Sequence, residues 1–307
     1  MNLDGILLPV TTPFEPETSS LSEAAFAKNL GRWLAHPIRG IVVGGSTGEA
    51  PLLDLEEICA LVEWARAILP EDVLLLAGTG MESTRHTSRA CLAAAERGAD
   101  AVLVRPPAYY REQMTPEAIR AHFLEVADRS SVPLILYHVP KFVPVELAPE
   151  LAARLVEHEN VIGIKDSSGD LKNLGALGEA CAGRAAVLVG SGAHLYAGLE
   201  LGATGGILAV GLLATECCCD VFDAWRSGRT KAAGAGQEAL GPLHRTVVVS
   251  AGVPGVKHAL DLLGMCGGPP RAPLRPPGAR TRARVEAALV RAGLLEAAVA
   301  AGGDDVH

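Results

Sequence analysis

Eight short, unbroken apolar runs recur along the chain, and their rhythm limits the folds open to it. They occupy residues 6–8, 41–43, 73–76, 101–104, 134–136, 161–164, 187–189 and 206–208. None alternates apolar with polar residues, so each predicts a strand buried on both faces, as in parallel sheets. From Val43 to Leu76, Val104, Leu136, Ile164 and Val189 the steps are 33, 28, 32, 28 and 25 residues. One strand, one crossover helix and two loops fill such a step.

Helix signals lie between the runs. Asp54 with Glu57 predicts a capping box, and Leu55, Ile58, Leu61, Val62, Ala65, Ile68 and Leu69 then form one apolar stripe. Thr115-Pro116 reads as an N-cap and first helical residue, and Ser83 opens a helix that stops at Gly98. Such alternation suits a closed barrel or an open doubly wound sheet. The even spacing shows no division into halves, and no Gly-x-Gly-x-x-Gly follows the first strand. The expected fold is therefore α/β, a (β/α)8 TIM barrel with additional C-terminal helices. Residues 1–212 would carry the barrel strands and helices. Residues 213–300 would carry the last barrel helix and the C-terminal helical region, with helices at 213–227, 229–250, 253–264 and 281–298. The Gly- and Pro-rich stretch from 267 to 278 is read as a loop.

Composition removes several function classes. A net charge of −8, with only one Arg-rich stretch (residues 271–284), argues against nucleic acid and anionic membranes as partners. No leader peptide and no run of about 18 apolar residues is read, so neither secretion nor membrane insertion is expected. Seven scattered cysteines imply no disulfide framework and point to a reducing, cytoplasmic setting. The Cys217-Cys218-Cys219 run lacks zinc spacing and is read as buried or surface helix, and the nine histidines show no metal-type spacing either.

In such barrels chemistry sits at the C-terminal ends of the strands. There the sequence places Gly44-Gly45-Ser46-Thr47-Gly48-Glu49, then Arg105-Pro106-Pro107-Ala108-Tyr109-Tyr110, Tyr137-His138-Val139-Pro140, Lys165-Asp166-Ser167-Ser168 and Gly190-Ser191-Gly192. Lys165 is the sharpest signal. Desolvation favours the uncharged, nucleophilic form of an amine. A lysine at that position can equally pair with Asp166 or reach for solvent. Tyr137 ends the neighbouring strand in the same layer, where a phenol can relay protons or simply pack its ring on the rim. Ser46, Thr47 and the backbone N–H groups of their turn suit a small carboxylate, although glycine-rich turns are common. Glu49 is read as a structural tie of that loop, and His138 should face the helix layer.

Together, the segments 44–49, 137–140 and 163–170 resemble the motifs of the dihydrodipicolinate synthase / N-acetylneuraminate lyase family of pyruvate-dependent class I aldolases, and the resemblance spans residues 4 to about 296. It implies that Lys165 forms a Schiff base with pyruvate. It implies a proton relay of Tyr137, Ser46 and Tyr110, with Tyr109 as the alternative, donated across a dimer interface. Ser46 and Thr47 would hold the pyruvate carboxylate, and Gly45, Gly190, Ile207 and Ser167 would line the substrate pocket. The partners would be pyruvate and an aldehyde, with no metal or organic cofactor, in a homotetramer built as a dimer of dimers.

Within the family, synthases carry an arginine shortly after the Tyr-x-x-Pro, where this chain has Lys141-Phe142-Val143-Pro144. The segments 77–84, 165–170, 252–257 and 267–274 most resemble 4-hydroxy-2-oxoglutarate aldolases. The first expectation is cleavage of 4-hydroxy-2-oxoglutarate to pyruvate and glyoxylate. The alternatives are 4-hydroxy-tetrahydrodipicolinate synthase, a lyase of 2-keto-3-deoxy sugar acids or sialic acid, and a non-catalytic 2-keto-acid binding protein.

Overall fold

In the computed structural model, which describes residues 1–296, the eight apolar runs form parallel strands that close on themselves. They are β1 (Gly5–Pro9), β2 (Gly40–Val43), β3 (Leu74–Gly78), β4 (Ala101–Val104), β5 (Leu134–His138), β6 (Val161–Asp166), β7 (Ala186–Val189) and β8 (Gly205–Ile207). Each pairs with the next, and β8 pairs back to β1 through Gly5 and Gly205. A Cβ on Gly205 would collide with the Gly5 carbonyl, so the seam closes only on glycine. The unbroken apolar runs have their cause here. One face of each strand fills the barrel and the other meets the helix layer, and Leu7, Leu8, Ile41, Leu75 and Leu136 lose all contact with water. Each such side chain contributes roughly 1.5–3 kcal/mol.

The helices are α1 (Glu23–Trp33), α2 (Leu55–Ile68), α3 (Thr84–Glu96), α4 (Pro116–Arg129), α5 (Pro149–Leu155), α6 (Leu171–Cys181), α7 (Leu195–Glu200), α8 (Thr215–Arg226), α9 (Thr230–Leu243), α10 (Gly252–Leu262) and α11 (Ala279–Arg291). The expected caps form. The Asp54 N–H donates to Glu57 Oε2 at 3.0 Å, Ser83 accepts the His86 N–H at 3.1 Å, and Thr115 accepts the Ala118 N–H at 3.3 Å. Among the described residues no helix is long and apolar enough to cross a membrane.

Two helices depart from expectation. Residues 229–250 do not form one regular helix, because α9 ends at Leu243 and residues 244–250 wind as a π-helix. Pro242 inside α9 lacks the N–H that the regular ladder requires, and the wider turn follows directly. The last helix stops at Arg291, short of 298. Gly293 there takes φ +70°, and the Leu294 N–H returns to the Leu289 carbonyl at 3.0 Å. Residues 297–300, included in the expected C-terminal region, lie outside those described.

A buried ion-pair network fastens the C-terminal helices to the barrel mouth. Lys257 of α10 sits 1% exposed, with Nζ 2.6 Å from Glu49 Oε1 and donating to the Pro269 carbonyl at 2.9 Å. The Arg271 N–H donates to Glu49 Oε2 at 2.8 Å, and its guanidinium grips both Glu57 oxygens at 2.6 Å. Arg271 and Lys257 both lie over the Phe14 ring. That fork holds the Glu57 carboxyl below the usual carboxylate range. The start of the Arg-rich stretch is thus an internal clamp.

Candidate active site

Strand alternation aims the site. Gly163 and Lys165 point into the barrel, so Asp166 points out. There Asp166 accepts from His138 Nδ1 at 2.7 Å, Ser168 Oγ at 2.6 Å and Asn173 Nδ2 at 3.4 Å. Asp166 therefore does not neutralise Lys165, and the expectation that His138 turns toward the helix layer holds. The Lys165 side chain is 4% exposed and has no carboxylate within ion-pair distance among the described residues.

Tyr137 is the register partner of Lys165 across β5 and β6. The Lys165 Nζ lies 4.2 Å from the centre of the Tyr137 ring. The Tyr137 hydroxyl is 3.3 Å from Ser46 Oγ, so the phenol joins the hydroxyl of Ser46 while its ring faces the amine. Ser46 is held by a tight turn in which the Ala50 N–H donates to the Gly45 carbonyl at 3.1 Å. Two further ties fix that turn. Thr12 Oγ1 donates to the Gly48 carbonyl at 2.7 Å, and Glu49 is anchored by Lys257 and Arg271. Glu49 pays a local cost for this, since its φ of +62° is unusual for a residue with a side chain. Its expected role as a loop tie is fulfilled through a partner the sequence reading did not connect to it.

The remaining predicted positions fall as follows. Gly45 and Ser46 line a cavity of about 790 Å³ with Tyr137. Thr47 is half-buried beside them. Gly190 closes the β7 end, where any Cβ would collide with Ser167 Oγ, and Ile207 is buried on β8. The Ser167 N–H is tied to the His138 carbonyl at 2.8 Å. Tyr110 and Tyr109 stand apart from this group. They are 69% and 80% exposed and meet edge-on with ring centres 5.1 Å apart. Their loop is pinned by Glu82, which accepts the Ala108 and Tyr109 N–H groups at 2.9 Å each.

Arg105 is the residue sequence reading passed over. It lies two positions beyond Leu103 of β4, and both line the cavity. The alternation that aims Lys165 after Gly163 aims Arg105 after Leu103, so the signal was available. Its guanidinium reaches Glu82 Oε1 at 2.8 Å. Burial alone would raise the Glu82 carboxyl, but its two backbone donors and Arg105 outweigh burial and hold it below the usual carboxylate range.

Comparison with known proteins identifies the family. Residues 2–292 match the dihydrodipicolinate synthetase family. A 4-hydroxy-tetrahydrodipicolinate synthase of Thermodesulfovibrio yellowstonii is 31% identical over 292 residues, covering 95% of this chain and 99% of that protein. Its counterpart in Rhodopseudomonas palustris is 33% identical over 291 residues, covering 95% and 97%. Among solved structures, the chloride-inhibited dihydrodipicolinate synthase of Acinetobacter baumannii complexed with pyruvate is similar at TM-score 0.90. It is 29% identical and covers 96% of this chain and 100% of that one. A prophage protein of E. coli K12 from the dihydrodipicolinic acid synthase family, also in complex with pyruvate, has TM-score 0.90 and 27% identity, covering 95% and 99%.

Proposed function

The chain belongs to the dihydrodipicolinate synthetase family, as a pyruvate-dependent class I aldolase, and from that premise we propose that Lys165 is its imine-forming nucleophile and 4-hydroxy-2-oxoglutarate, or a related 2-keto acid, its substrate. The observation that carries the reading is the Lys165 amine, without a carboxylate partner among the described residues, over the ring of Tyr137, whose hydroxyl meets Ser46.

The Lys165 amine adds to the C2 carbonyl carbon of the keto acid. Tyr137 passes a proton to the resulting oxyanion, and the hydroxyl leaves as water to give a protonated imine. That cation draws in the electron pair of the C3–C4 bond while the C4 hydroxyl yields its proton to the Tyr137–Ser46 relay. The aldehyde, glyoxylate for this substrate, departs. The enamine takes a proton at C3, and water hydrolyses the imine to release pyruvate and Lys165. Ser46, Thr47 and their turn hold the C1 carboxylate, while Gly45, Gly190, Ile207 and Ser167 close the pocket around it. Tyr110, or its neighbour Tyr109, extends the relay from a second copy in a tetramer.

A second reading is 4-hydroxy-tetrahydrodipicolinate synthase, favoured by the names of the curated relatives. Against it stands the loop after Tyr137, where the chain offers Lys141 and not an arginine. Lys141 spends its Nζ on the Val249 carbonyl at 2.9 Å. A substrate panel separates the two. The first reading expects pyruvate release from 4-hydroxy-2-oxoglutarate. Rapid condensation of pyruvate with aspartate semialdehyde, and none with glyoxylate, overturns it in favour of the synthase.

A further inference from the structure

Arg105 is a cation inside the barrel mouth to which the mechanism above gives no task. Its strand neighbours fix its place. Val104 pairs with Leu136, so Arg105 follows at the level of Tyr137 on the adjacent strand. At the end of β3, Gly80 leaves room for its stem, because a Cβ there would lie 2.6 Å from Arg105 Cγ. The side chain is 22% exposed and lines the same cavity as Ser46 and Tyr137. Nη1 is engaged by Glu82 Oε1 at 2.8 Å and the Pro106 carbonyl at 3.0 Å, and both of those bonds fall on that one nitrogen. Glu82 is itself committed to Arg105 and to two backbone N–H groups. The guanidinium is thereby braced through Nη1, and Nη2 and Nε have no hydrogen-bond partner among the described residues.

The charges around the cavity agree with an anion. Arg105 and Lys141 are cationic and Glu82 is anionic, while Glu49 is cancelled behind the wall by Lys257. Nearby His122 adds no positive charge at neutral pH, since burial and the Arg105 charge push its pKa down to about 4. A planar fork fixed at its back edge matches a carboxylate in two-point contact.

We propose that Arg105 is the specificity-determining residue for the aldehyde half of the substrate, binding a carboxylate bonded directly to the aldehyde carbon. This rests on the aldolase reading above and sharpens its substrate class to 2-keto acids with a second, distal carboxylate. In 4-hydroxy-2-oxoglutarate that group is the C5 carboxylate, which becomes the carboxylate of glyoxylate.

The test compares 4-hydroxy-2-oxoglutarate with 4-hydroxy-2-oxopentanoate, in which a methyl group replaces the distal carboxylate. The wild type should favour the dicarboxylate in kcat/KM by about 100-fold. Arg105→Gln should collapse that ratio toward one, and Arg105→Lys should restore part of it by charge alone. An equal fall for both substrates in Arg105→Gln would make Arg105 a structural brace for the Glu82 loop and overturn the proposal. So would a wild type that does not discriminate. Borohydride trapping of pyruvate on the wild type is run alongside. If it fails, the aldolase reading is lost as well, whereas trapping without discrimination sinks the Arg105 assignment only.

Discussion

Two lysines are buried in this molecule in closely similar surroundings, and they differ in one respect. Lys165 is 4% exposed with Nζ 4.2 Å from the Tyr137 ring centre, and Lys257 is 1% exposed with Nζ 4.4 Å from the Phe14 ring centre. Lys257 has a carboxylate at 2.6 Å and a carbonyl at 2.9 Å, whereas Lys165 has no carboxylate partner among the described residues. Burial depresses the Lys257 pKa, and the nearby Glu49 carboxylate opposes that change. Burial and an aromatic neighbour therefore do not make a nucleophile. On the proposed reading, what separates the Lys257 clamp from a reactive amine at Lys165 is the partner.

The two lysines should respond to mutation in opposite ways. Lys165→Ala should lower kcat by about 10⁴-fold or more while the melting temperature stays close to wild type. Retained turnover would break the comparison at its catalytic end. Lys257→Met should leave Glu49 buried without its cationic partner, costing about 3–5 kcal/mol, visible as a lower denaturation midpoint. Pairing it with Glu49→Gln should recover part of that loss. If Lys257→Met unfolded no more easily than wild type, the clamp would be ornamental.

Buried histidines extend the same lesson to groups that burial keeps neutral. Burial pushes His122 and His244 down to about 4. Both are neutral in the fold across the range where an unfolded histidine, near 6.5, takes up a proton. The unfolded state thus binds more protons between pH 6.5 and 4, and stability falls as the pH drops through that window. The loss is about 3 kcal/mol per histidine at most. Melting curves at pH 6.5 and 4.5 test this, and His122→Gln should flatten the dependence. The smallest effect is expected at Ser46→Ala, about tenfold in kcat/KM, since Tyr137 retains its place over Lys165 and only the relay's far end is lost. Measured kinetics that left Ser46→Ala unchanged would remove Ser46 from the relay.

Local signals in the sequence carried much of this. The apolar runs, the Asp54–Glu57 cap and Thr115-Pro116 each report a short-range rule, and the strand-end positions of Lys165 and Tyr137 follow from alternation. Pairings between distant segments were hidden. Arg271 meets Glu57 across 214 positions, and Glu49 meets Lys257 only because α10 folds back over the mouth. No periodicity encodes such a contact. Arg105 follows from the same alternation that places Lys165, two positions beyond Leu103 of β4. Pro242 was visible too, but its consequence, a π-helix in place of a continued α-helix, depends on tertiary packing.

The most direct test of the account asks which buried amine reacts. The protein is incubated with pyruvate, reduced with borohydride, weighed and digested. One reduced pyruvate per chain, located on Lys165 and absent from Lys257, is the expected result. An adduct on Lys257, or no adduct at all, would contradict it.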